Sequence, residues 1–99
     1  MISFVRTAAI APGKNHEAMT FAHQVAKMVA DKVGTKLNIT VPIGGNPNRI
    51  AWVSTYENLA VFESTATKLL ADADYRKLIE SSASFFLPGS VDDELWMSV

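Results

Sequence analysis

Between Asn48 and Glu63 the chain reads NRIAWVSTYENLAVFE, and no other stretch narrows the possible folds as much. Ile50, Trp52, Val53 and Tyr56 form a run of β-formers that falls on both parities, so both faces of the strand are apolar. Asn58 breaks the run, and Leu59 and Phe62 begin helical spacing. Strand therefore passes into helix with almost no connection. A strand apolar on both faces is covered on both faces. It belongs in the middle of a sheet, with helices against one side and something further against the other.

The segments on either side fit this. Residues 2–10 read as a first strand, again apolar on both parities, ended by Pro12 and Gly13. Asn15 is placed to cap a helix running to about Val33, with Glu17 early and Lys32 late to suit the dipole. Ala18, Phe21, Ala22, Val25, Met28, Val29 and Val33 form its apolar stripe, and Gly34 is a C-terminal stop. Residues 36–43 alternate, with Leu37, Ile39, Val41 and Ile43 on one face, and Pro42 marks an edge strand. Gly44–Asn48 forms a hairpin loop. The third strand covers about 49–56. A second helix runs from about Asn58 to Ala71, with Leu59, Phe62, Ala66, Leu69 and Leu70 inward. A short third helix spans 74–84, carrying Tyr75, Leu78 and Ile79. Phe85, Phe86 and Leu87 form an apolar knot, and residues 93–98 give a last strand with Leu95 and Met97 on one side and Trp96 on the other.

This order, β-α-β-β-α-α-β, predicts an α+β, ferredoxin-like split βαβ fold as one domain over residues 1–99. The expected sheet order is 4-1-3-2, antiparallel, with the first and third strands central. Two helices cover one face of such a sheet. The other face then carries an apolar patch, and a homodimer packed sheet to sheet is the economical way to cover it.

Composition removes several classes of function. Hydrophobic content of 48% with 19% charged residues is that of a globular chain. A net charge of -1 with scattered basic residues gives no stripe for nucleic acid. No segment nears the roughly 20 apolar residues of a membrane span, and Arg6 interrupts the N-terminal run before it could serve as a signal core. The absence of cysteine removes disulfides, thiolate metal sites and a cysteine nucleophile, and fits a cytoplasmic location.

Pro12-Gly13-Lys14 before the first helix, the layout, and the passage of the third strand into a helix through YENLAVFE resemble the dimeric α/β-barrel superfamily. Within it the chain is most similar to NIPSNAP-like and antibiotic-biosynthesis-monooxygenase-like proteins. The resemblance covers nearly the whole chain in layout. It implies a dimer with a barrel-like interface and a cleft on each subunit between sheet and helices. Members include cofactor-independent monooxygenases, haem-degrading oxygenases, muconolactone isomerases and proteins of unknown role, so fold does not fix function.

Five residues are candidates for such a cleft. Arg6, the one charged residue in the first strand, would grip a ligand carboxylate or phenolate, or else pair with a partner group. Trp52, Tyr56 and Trp96 would line a site for a ring-shaped ligand, or else pack in the core or an interface. His16 and His23 stand about 10 Å apart along the polar face of one helix, too far for one ion. His16 alone, near the helix start, keeps a place at a cleft mouth. Glu57 and Glu63 read as helix-start and solvent-facing carboxylates. Asp92, Asp93 and Glu94 alternate along an extended chain and do not converge on one ion. The Gly44-Gly45 loop lacks the Lys-Ser/Thr and following helix of a phosphate loop. No cofactor is expected. The functional expectation is a protein binding a small apolar or aromatic ligand. The alternatives are an oxygenase or isomerase acting on a ring compound, with Arg6 holding an anionic substrate, and an interaction protein with no ligand.

Overall fold

The structure, a computed structural model, describes all residues from Met1 to Val99. Its elements in order are β1 (Ile2–Ala9), α1 (Asn15–Val33), β2 (Asn38–Thr40), β3 (Arg49–Tyr56), α2 (Leu59–Ala71), α3 (Ala73–Ser81), a 3₁₀ turn (Ala83–Phe85) and β4 (Asp92–Met97). The sheet has four strands in the order β2-β3-β1-β4, every pair antiparallel. This is the expected ferredoxin-like order, with β1 and β3 central.

Register decides which side chains share a face, because residues directly opposite one another point the same way. Arg6 lies opposite Trp52 on one side and Asp93 on the other, and Trp52 lies opposite Ile39. Ile39, Trp52, Arg6 and Asp93 therefore form one row across all four strands. The rows beside it hold Ala8 with Ile50, and Phe4 with Ser54 and Leu95. These even-numbered residues of β1 and β3 face the helices, where Ala8, Ile50 and Trp52 are buried against Ala18, Phe21, Ala22, Val25 and Val29 of α1. The odd-numbered set, from Ser3 and Val5 to Ala51 and Val53, lies on the opposite face, where no helix packs.

Aromatic rings fix the packing of the helices on the sheet. Phe21 meets Trp52, Phe85 and Phe86 edge to face, with ring centroids 6.2, 6.3 and 5.8 Å apart. Edge-to-face pairs contribute about 0.5–1.5 kcal/mol beyond their buried area. A second group joins Phe62 of α2 to Phe4 and Tyr56 at 5.2 and 5.3 Å.

Several local expectations shift. Asn15 is the first residue of α1 and not its cap; Lys14 occupies the cap position without a side-chain bond and lies 3.6 Å from Glu17. Gly34 takes the left-handed conformation, φ 71°, that ends the helix. β2 is reduced to three residues, because Pro42 has no N–H for the ladder. Val41 and Ile43, expected on its inner face, are exposed. Asn58 caps α2 by accepting the Val61 N–H at 3.0 Å. Leu59 and Leu70, expected inward, are exposed, while Phe62, Ala66 and Leu69 carry the helix contact. Asp72 ends α2 and caps α3, accepting the Tyr75 N–H at 2.9 Å; the third helix, expected to reach 84, stops at Ser81, where the Ser82 hydroxyl donates back to the Ile79 carbonyl at 2.7 Å, and a 3₁₀ turn carries Phe85 against the core. Leu87 stays outside.

Candidate functional site

The even-numbered face of β1 and β3 and the three helices do not close completely. They leave a cavity of about 130 Å³. Its floor is Phe4, Arg6, Ala8, Trp52 and Tyr56; Phe21, Val25 and Val29 of α1, Leu69 of α2, and Tyr75 and Ile79 of α3 form the walls. Apart from Arg6 and Ser82, every lining residue is apolar or aromatic. Strand and helix periodicity produce this lining: residues two apart on β1 and β3, and three or four apart on α1, converge on one space. An apolar cavity of about 150 Å³ is known to take benzene, so this one is the size of a single ring. A second cavity of about 100 Å³ lies alongside and shares Phe4, Tyr56, Leu69 and Tyr75 as a dividing wall.

The polar groups around the first cavity are few. Arg6 donates from Nε and Nη2 to Asp93 Oδ1 and Oδ2 at 2.7 and 2.8 Å, a bidentate pair. Its guanidinium also stands over the Phe4 ring, 5.7 Å from the centroid. The hydrogen bonds to Asp93, more than the charge attraction, raise the Arg6 pKa above the ordinary arginine value against the opposing effect of burial, and the neighbouring Tyr75 hydroxyl adds to this. Three of the five guanidinium N–H groups remain after the pair with Asp93. Ser54 Oγ donates to the Tyr56 hydroxyl at 3.1 Å, a buried bond two residues along the same face. Trp52 is 6% exposed, and its indole Nε1 is buried without an acceptor. An unsatisfied buried donor costs about 1–3 kcal/mol.

The structure brings Arg6, Trp52 and Tyr56 to one cavity and leaves the other two candidates elsewhere. Trp96 lies opposite Ser3, on the face away from the helices, because it has odd parity relative to Arg6's partner Asp93. Its Nε1 donates to Glu94 Oε1 at 3.1 Å. His16 is exposed on the first turn of α1, off the buried face that begins at Ala18, and does not line the cavity. His23 is exposed as expected. No group of three or more His, Cys, Asp or Glu is arranged to hold a metal ion.

Sequence reasoning passed over Phe4, Phe21, Tyr75 and Phe86 as lining residues, and Asp93 as the partner of Arg6. Asp93 was within reach: once the first and last strands are neighbours, a register placing Leu95 opposite Phe4 puts Asp93 opposite Arg6. Tyr75 was read as inward on the third helix, but the sequence does not show that this helix stands over the Arg6 end of the sheet.

No family model and no curated protein matches the sequence. Solved structures do match the fold. A NIPSNAP domain protein from Burkholderia xenovorans superposes with a TM-score of 0.84 at 14% identity, over 100% of this chain and 95% of that one. A NIPSNAP family protein from Agrobacterium tumefaciens gives 0.82 at 17% identity, over 99% and 92%. A Deinococcus radiodurans protein provisionally described as an antibiotic biosynthesis monooxygenase gives 0.75 at 10% identity, over 100% and 93%. At these identities the likeness is one of fold: the chain has the ferredoxin-like architecture of NIPSNAP and antibiotic-biosynthesis-monooxygenase-like proteins, from end to end.

Proposed function

We propose that this chain works as a homodimer, each subunit holding one small apolar or aromatic molecule between its sheet and its helices. The observation that carries the ligand reading is the ring-sized apolar cavity, floored by Trp52 and Tyr56 and lined by a single charged side chain, Arg6. Binding suits the site better than acid–base chemistry. Its lining holds one charged group, Arg6, already paired, and neither an imidazole nor a carboxylate.

The dimer reading rests on the opposite face. Ser3, Val5, Thr7 and Ala9 of β1 and Ala51, Val53 and Thr55 of β3 are uncharged there, Val5 lies directly opposite Val53, and the one charge of the two central strands on that face is Arg49 at the end of β3, opposite Ala9. A compact chain of this mass is expected to expose about 5,500 Å², whereas this one exposes 6439 Å². The excess, about 900 Å², is close to the roughly 800 Å² that each partner buries in a standard interface.

Thermal unfolding with phenol, toluene and acetophenone tests the ligand reading. At ten times its Kd a ligand adds about 1.4 kcal/mol, which raises the Tm of a chain this size by several degrees. Ile79→Phe fills the cavity from a half-buried wall and is expected to abolish the rise while the protein stays folded. An equal rise in both proteins would place binding elsewhere, and no rise with any ring compound would end the reading.

A further inference from the structure

The Arg6–Asp93 pair decides what kind of ring compound the cavity can hold. Arg6 is the one charged side chain lining it, and both oxygens of Asp93 are committed to its guanidinium at 2.7 and 2.8 Å. Asp93 reaches it from the adjacent strand, held in place by the β1–β4 register. The pair therefore carries no net charge, and it sits at the open side of the cavity, where the Arg6 side chain is 37% and the Asp93 side chain 44% exposed. The rest of the lining is apolar. A carboxylate ligand entering here would meet one of two costs. Beside the intact pair it would lose its hydration to a neutral, largely apolar surface and lie close to a like charge. To take Arg6 for itself, it would have to displace a tethered carboxylate already bound bidentately and leave Asp93 unpaired beside it. An uncharged oxygen meets neither cost. The guanidinium keeps N–H donors beyond those given to Asp93, and Tyr75 places a hydroxyl near Arg6.

We infer that the cavity selects uncharged single-ring compounds bearing a hydrogen-bond-accepting oxygen, such as an amide, ketone or quinone, and rejects their carboxylate counterparts. Asp93 is the specificity-determining residue, acting by cancelling the charge of Arg6. This rests on the cavity being a binding site, and it replaces the expectation that Arg6 grips an anion.

Benzamide and benzoate are the test pair, since they share a ring and nearly the same shape and differ in charge. Binding is measured by calorimetry at pH 7 on the wild type and on Asp93→Asn, which keeps the shape of the side chain and removes its charge. The wild type is expected to bind benzamide at least about tenfold more tightly than benzoate, the size of one modest charge effect at a half-exposed site. In Asp93→Asn the benzoate affinity is expected to rise on the order of tenfold and to fall again with added salt, while benzamide changes little. Wild type that binds benzoate as tightly as benzamide overturns the inference and leaves the binding site standing. An unchanged preference in folded Asp93→Asn removes the role of Asp93. If neither compound binds the wild type, the inference falls, and the binding site falls with it only when phenol, toluene and acetophenone also leave the Tm unchanged. Should Asp93→Asn not fold, the wild-type preference alone decides.

Discussion

Single side chains explain how the third helix is set against the first. Asp72 caps α3 through the Tyr75 N–H and also receives Lys32 of α1, 3.1 Å away, which bonds Asp74 at the same distance. The Tyr75 N–H first, and Lys32 second, lower the Asp72 pKa below the ordinary carboxylate value. Hydrogen bonds to Asp72 and then Asp74 raise that of Lys32. A depressed carboxylate contributes stability that is fully present above its unfolded pKa, about 3.9, and is lost as pH falls through the folded value. The raised Lys32 contributes below its unfolded pKa and loses that contribution in alkali. Asp72→Asn should therefore be less stable than wild type at pH 7, with the gap narrowing below about pH 4. Urea midpoints at pH 7 and pH 3 check this, and a gap that stays constant would mean that the Asp72 charge does not matter. Because Tyr75 also lines the cavity and stands near Arg6, this cap links the end of α2 to the site.

The strands and helices show where periodicity was a sound guide and where it was not. β1, β3 and α1 were legible because long apolar patterns meet a matching surface over their whole length. β2 was read too long because alternation in 36–43 carried no information about pairing, and Pro42 stops the ladder after Thr40. The same error placed Ile43 inward with Ile39. Stability should separate the two kinds of position. Ile50→Val, at a residue with 0% exposure, is expected to cost about 0.5–1.5 kcal/mol. Ile43→Ser, at a fully exposed loop residue, is expected to fall within about 0.5 kcal/mol of wild type. Denaturation midpoints compare them; equal costs would mean that residues 41–43 are covered in solution. On α2, Leu59 and Leu70 fit the helical period but fall outside the arc that meets the sheet, since short helices bury only the residues over the strand they cross. The helix start at Asn58 and the division between Ala71 and Asp74 were both legible; that Asp72 ends one helix and caps the next, and that the third helix stops at Ser81, were not.

Taken as a whole, the molecule has a sheet with two unlike faces. One meets three helices around the cavity, and the other holds small and β-branched residues at its centre, with Arg49, Asp92 and Glu94 towards its margins, and no helix over it. Parity along β3 divides the aromatic candidates: Trp52 and Tyr56 turn to the helices, and Trp96 on β4 turns away with Val53. The sequence showed that β3 has two apolar faces but not which one holds the aromatics, because that depends on which parity the helices choose. Val53→Lys puts a charge in the centre of the open face, and sedimentation should show it to be a monomer under conditions where the wild type is a dimer. A dimeric Val53→Lys would move the interface to another surface. The ligand side has a more direct probe in the indole N–H of Trp52. In Trp96→Phe protein labelled with ¹⁵N, a single indole cross-peak remains, and it reports Trp52 alone. Titration with benzamide should move this peak progressively to saturation as an aromatic ring fills the cavity that Trp52 lines. A peak that stays fixed while benzamide reaches its solubility limit would contradict a ring-binding site above the sheet.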